Sequence, residues 1–205
     1  MFTLEEVRSY YKDEIMLNDK AHNLDHVDSV YLRAMQIKQK MFNDLDIDHL
    51  ILLGVYIHDL KCHVSRVNHH TLAAGYIQKM RNKDKFLKKL TNDELALLES
   101  AVLKHRASLK GAVRTSPLSK ILYAADKDAP DINTYIARSM KFHGDSEDLA
   151  DNVAKHLKEK FGTGGYNVFG GIFTEMYGAD MVEQLRTDVD NCRVEVIGNV
   201  KRIVY

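Results

Sequence analysis

The chain has 205 residues, with 29 lysines and arginines against 29 aspartates and glutamates, ten histidines, two cysteines, two prolines and no tryptophan. At 45% hydrophobic and 28% charged it is of ordinary globular composition, which excludes wholesale disorder, collagen-like repeats and a long coiled coil. Charge is balanced in both halves, 14 basic and 15 acidic over residues 1–100 and 15 and 14 over 101–205, so the lopsided field of a nucleic-acid-coating protein is missing.

The N-terminal stretch MFTLEEVRSYYKDE is acidic and lacks an apolar core, so no secretory signal is expected there. Thr3-Leu-Glu-Glu6 has the form of a capping box and predicts a first helix to about Leu17. Asp25 is the expected cap of the next helix, whose apolar stripe is Val27, Val30, Tyr31, Ala34, Ile37 and Met41. Asp46 or Asp48 opens a third helix, apolar on nearly every side through Ile57 and therefore central. Its apolar run, Leu50 to Ile57, is too short to cross a bilayer and is broken by Gly54. A fourth helix is expected from His69 to Met80. The excess of ten basic over four acidic residues from Lys79 to Arg114 reads as a solvated helical face.

Thr91-Asn-Asp-Glu94 is a second capping box, opening a helix toward His105, and Ser116-Pro117 sets a cap and a first-turn proline for a helix to Asp126. Two more helices fit 131–143 and 146–161, closed by Gly144 and Gly162. The cluster Gly162–Gly171 is read as a loop. It fails as a phosphate-binding loop because Gly171-Ile172 stands where Lys and Ser/Thr are needed, and as a dinucleotide fingerprint because Asn167 takes the last glycine position. Arg193–Ile197 and Val200–Tyr205 around Gly198-Asn199 predict a β-hairpin that docks on the helices or pairs with a second subunit as a homodimer. Cys62 and Cys192 make no disulfide framework, which points to a reducing, cytoplasmic setting. The expected fold is all-α, one domain over 1–205.

His58-Asp59 interrupts the apolar helix at its end, where an unpaired polar pair would be costly to bury. Imidazole and carboxylate are the usual ligand types for catalytic transition-metal ions, and His26, His70, His105 and Asp126 also fall near expected helix ends, where a bundle can bring them together. His22 serves equally as a cap, a surface residue or a ligand. Cys62-His63 lacks a second such pair and is no structural zinc motif.

Ala21-His-Asn-Leu-Asp-His26-Val-Asp-Ser-Val30, Tyr56-Ile-His58-Asp59-Leu-Lys61 and Ser119-Lys-Ile-Leu-Tyr-Ala-Ala-Asp126-Lys resemble, in order and separation, the motifs of the HD superfamily of metal-dependent phosphohydrolases. The resemblance covers about residues 18–130 and implies an HD-like helical bundle with the C-terminal hairpin appended. It implies His26, His58, Asp59 and Asp126 as metal ligands. His70-Thr-Leu-Ala-Ala-Gly-Tyr-Ile and Ala101-Val-Leu-Lys-His105-Arg resemble the extra histidine motifs of members that hold two metals, and the spacing to Ala74-Gly-Tyr selects His70 over His69. The stretch from Ala101 to Lys127 is similar to symmetrical diadenosine-tetraphosphate hydrolases.

The resemblance implies a small phosphorylated substrate, a nucleotide or dinucleoside polyphosphate, and no broad nucleic-acid or membrane partner. One or two divalent ions (Fe, Mn, Zn, Co, Ni or Mg) would activate water, with Asp59 and Lys61 catalytic. Lys61, Arg106 and Lys127, each beside a ligand in sequence, are candidates for phosphate contacts. A di-iron oxygenase of the same superfamily and a non-catalytic nucleotide-binding module are the alternatives. Two departures stand out: Lys61 lies two residues after Asp59 where several HD groups place a lysine three after, and Asn23 stands where some relatives have Asp.

Overall fold

The computed structural model describes residues 2–109, 111–144, 148–166, 171–198 and 200–205. Its contacts divide the chain into two compact units, Met1–Lys127 and Asp128–Tyr205, where the sequence suggested one domain. Helices dominate both, and the one sheet among the described residues is the C-terminal hairpin, so the fold is all-α with a small β-hairpin. No helix among the described residues is long and apolar enough to cross a membrane.

In the first unit α1 (Leu4–Ile15) starts at the expected capping box, with Thr3 Oγ1 accepting from Glu6 N and Glu6 accepting from Thr3 N. Helix α2 (Leu24–Met41) starts earlier than expected. Its cap is Asn23, whose side chain accepts from His26 N at 3.3 Å, while Asp25 sits exposed in the first turn, where a negative charge suits the helix dipole. Helix α3 (Asp48–His58) is buried at every position from Leu50 to His58 and packs on α1, α2 and the three later helices of the unit, α4 (His69–Met80), α5 (Asn92–Lys104) and α6 (Pro117–Ala125). A Cβ on Gly54 would meet Leu122 Cδ1 at 2.8 Å, so the glycine lets α6 approach closely. Thr91–Glu94 and Ser116 cap α5 and α6 as the sequence implied.

Between α4 and α5 the chain turns through a 3-10 segment, Leu87–Lys89, organised by Asp84. This fully buried carboxylate accepts from Tyr11 OH (2.9 Å), Tyr76 OH (2.8 Å), Phe86 N (2.8 Å) and Leu87 N (3.0 Å). Four donors on one anion offset its desolvation.

The second unit begins with α7 (Ile132–His143), capped by Asp131 and closed by Gly144 at φ 62°. Helix α8 (Leu149–Phe161) occupies most of the expected span 146–161, of which 146–147 lie outside the described residues. So do 167–170 of the expected glycine-rich loop and Asn199 of the expected turn. Two helices that the sequence pattern left unassigned come next, α9 (Ile172–Tyr177) and α10 (Ala179–Asn191), the latter burying Val182, Leu185 and Val189 on one stripe. Strands β1 (Arg193–Ile197) and β2 (Val200–Val204) pair antiparallel and pack on α8, where Lys201 bonds Asp148 and Asp151.

Candidate metal centre

Helix ends bring the polar residues of the first unit together. His58 is the last residue of α3, and Asp59 leaves the helix at φ −104°, ψ 8°, so neighbours in sequence aim into one volume. His105 and Asp126 stand just past the ends of α5 and α6, His26 lies in the first turn of α2 and His69 opens α4. Three helix C-termini, those of α3, α5 and α6, thus meet here, and their partial negative charge favours a cation.

Backbone carbonyls three residues back along the chain set the imidazole tautomers. Nδ1–H of His58 donates to Val55 O at 2.6 Å, that of His105 to Val102 O at 2.6 Å, and that of His69 to Arg66 O at 2.7 Å. With Nδ1 fixed as the donor, each ring turns its Nε2 to the interior, the arrangement that orients and strengthens a metal-binding imidazole.

Those nitrogens gather around Asp59. On one side its Oδ2 lies 3.3 Å from His58 Nε2 and 3.7 Å from His26 Nε2, and Asp126 Oδ1 lies 3.2 Å from His26 Nε2 and 3.7 Å from His58 Nε2. On the other side Oδ1 lies 3.2 Å from His69 Nε2 and 3.6 Å from His105 Nε2, and these two nitrogens are 3.0 Å apart. Ligand atoms within each group, His26/His58/Asp59/Asp126 and Asp59/His69/His105, all lie within 4.8 Å of one another. One carboxylate therefore serves both groups, each through its own oxygen. Two lone pairs facing at 3.0 Å repel unless a cation or a proton lies between them, and His58 Nε2 is buried with no hydrogen bond among the described residues. These residues fit one or two divalent ions.

Burial works against charge on His58, but Asp59 and Asp126 outweigh it and raise its pKa from 6.5 to about 10. Burial likewise opposes charge on both carboxylates, yet His58 and His105 hold Asp59, and His26 and His58 hold Asp126, well below the ordinary carboxylate range. Burial lowers His69 to about 4 and keeps it neutral. A raised His58 stabilises the metal-free fold fully below pH 6.5, and that contribution is lost as pH rises through about 10. The metal-free protein is accordingly expected to melt at progressively lower temperature from pH 6.5 to about 10; an unchanged melting temperature over that interval would contradict it.

The structure brings His26, His58, Asp59, Asp126 and His105 together, but it corrects the choice of His70. Consecutive residues at a helix start point in directions about 100° apart, and the ring that reaches His105 and Asp59 is that of His69. His70 is buried beside it, ring centroids 5.6 Å apart, and its Nδ1 makes no hydrogen bond among the described residues. His69→Ala is expected to remove one bound metal equivalent, with His70→Ala retaining both, as read by metal content after dialysis.

Each of the basic candidates has a partner in the structure. Lys61 pairs with Glu14 on α1 at 2.5 Å, and Arg106 NH1 donates to Val67 O. Lys127 is buried with its Nζ 3.8 Å from the Tyr123 ring centroid, and the Arg114 guanidinium lies 3.9 Å from that centroid. Three neighbours border the site: His22, left open in the sequence, whose ring lies 5.7 Å from that of His26; Cys62, set aside as a zinc motif, whose Sγ donates to Asp59 Oδ1 at 3.5 Å; and Arg66, which sequence reasoning missed and which donates to Asp19. The signal for Cys62 was its place three residues after Asp59; for Arg66 the sequence held none.

No family, no curated protein and no solved structure matches the chain.

Proposed function

We propose that the first unit carries the active site of an HD-type metal-dependent phosphohydrolase, cleaving a phosphate ester or anhydride of a nucleotide or dinucleoside polyphosphate. The observation that carries this reading is the set of imidazole Nε2 atoms converging with two carboxylates, Asp59 facing both groups. Bound divalent ions would supply Lewis acidity and a water that ionises near neutral pH. An imidazole-rich donor set favours first-row transition ions over Mg.

The side chains set the electrostatics of such a site. Four neutral imidazoles and two carboxylates sum to a charge of −2, fewer negative charges than two divalent ions bring, so the loaded centre attracts an anion. Asp126 is the most exposed of the ligands, its side chain at 23 %, against 4 % for Asp59 and 2 % for His58. A phosphoryl group would enter from the Asp126 side, and the buried histidines behind it would exclude bulk water. The cytoplasmic placement rests on the two cysteines, both buried and free.

The test is phosphate release by metal-loaded protein from nucleotides, dinucleoside polyphosphates and simple esters. Metal-dependent turnover on at least one class is the expected result. Metal bound stoichiometrically with no turnover on any of them would overturn the hydrolase reading.

A further inference from the structure

Two ligands in contact across the site, His26 and Asp59, come from different helices, and α2 and α3 must be held in register at their ligand-bearing ends. His26 Nε2 is 3.7 Å from Asp59 Oδ2, a separation a small slide of one helix would destroy. Catalytic metal sites tolerate displacements of only about 0.5 Å. Which side chain holds the two ends together?

Asn18 sits in the turn after α1, and both ends of its amide are used. Its Nδ2 carries two hydrogens and donates to two carbonyls, His22 O at 3.2 Å and Asp59 O at 3.0 Å. Its Oδ1 accepts from His63 N at 2.8 Å and lies 3.3 Å from His63 Nδ1. His22 O belongs to the residue before Asn23, the cap whose side chain fixes the backbone of His26. Asp59 O belongs to the shared ligand itself, and that carbonyl also accepts from Cys62 N at 3.0 Å. His63 lies on the turn that leads toward His69. One amide therefore ties three segments: the entry to α2, the end of α3 and the turn beyond it.

We propose that Asn18 is a positioning residue for the metal centre, setting the distance between His26 and Asp59 by bonding the chain on both sides. The inference rests on the metal reading of the site. Among the described residues Asn18 makes no hydrogen bond to a ligand atom; it acts through the backbone of Asp59 and of the segment that leads to His26.

The experiment is titration of metal-free protein with Co2+, following affinity and the visible spectrum, in wild type, Asn18→Leu and Asn18→Ala. Leucine keeps the branched outline of the asparagine, with methyl groups in place of the amide, and adds no charge. Both variants are expected to bind Co2+ about 10- to 100-fold more weakly, with an altered spectrum. Lys20→Ala, an exposed change two residues on, should match wild type in both. A role in folding alone would lower the metal-free melting temperature and leave affinity and spectrum, measured below melting, unchanged. Should Asn18→Ala fail to fold, Asn18→Leu carries the comparison. Wild-type affinity and spectrum in Asn18→Leu overturn this proposal and leave the metal reading intact. Failure of wild type to bind Co2+ overturns both.

Discussion

Asp59→Asn is expected to release the bound metal and lower phosphate release by about 1,000-fold or more, with the helical circular dichroism of the chain retained. The reason is position. Each oxygen of this carboxylate faces a separate histidine group, so one substitution removes a ligand from both. The asparagine amide would direct an N–H₂ group at one of them, where a cation belongs. The metal-free protein responds differently, because Asp59 is the main partner that raises His58 against its own burial. With that charge gone the rise in the His58 pKa is expected to shrink, leaving Asp126 alone to oppose burial, and the loss of stability toward high pH should shrink with it. Metal content after dialysis, read beside thermal melts across pH, separates the two effects. Full metal occupancy in Asp59→Asn would contradict a role for this carboxylate in both groups.

The second large effect lies away from the site. Asp84→Ala is expected to destabilise the first unit by about 3–5 kcal/mol, since it strands the buried Tyr11 hydroxyl and two buried backbone N–H groups and frees the half-buried Tyr76 hydroxyl. Asp84→Asn should cost less, about 1–2 kcal/mol, because its Oδ1 keeps the Phe86 and Leu87 amides and the hydroxyls can turn to accept. Chemical unfolding followed by far-ultraviolet dichroism checks both. A shift of under about 1 kcal/mol for the alanine variant would mean that water or a rearranged turn satisfies those donors.

Capping is local chemistry, and it was legible: Thr3 with Glu6, Thr91 with Glu94, and Ser116 before Pro117 all stand where the sequence placed them. The start of α2 was misplaced because Asn23 and Asp25 are both good caps, and only the burial of Leu24 decides between them. His58-Asp59 announced itself as a polar pair ending an apolar helix. His69 did not, since its neighbour His70 has the same chemistry and only the packing of α4 on α5 shows which ring reaches His105. Helices α9 and α10 were missed for a different reason. Polar residues flank the sparse stripe of Val182, Leu185 and Val189, and no strong cap marks either start, Gly171 and Gly178 making no side-chain bond. The contacts of Asn18 span 41 and 45 residues to Asp59 and His63, a range over which sequence pattern carries no information.

The most direct measurement is the metal stoichiometry of the purified, dialysed chain, taken by elemental analysis after loading with a first-row divalent ion. Two ions per chain are predicted, falling to one in His69→Ala and to none in Asp59→Asn. A wild-type chain that holds no metal, or holds the same amount as Asp59→Asn, would contradict the account.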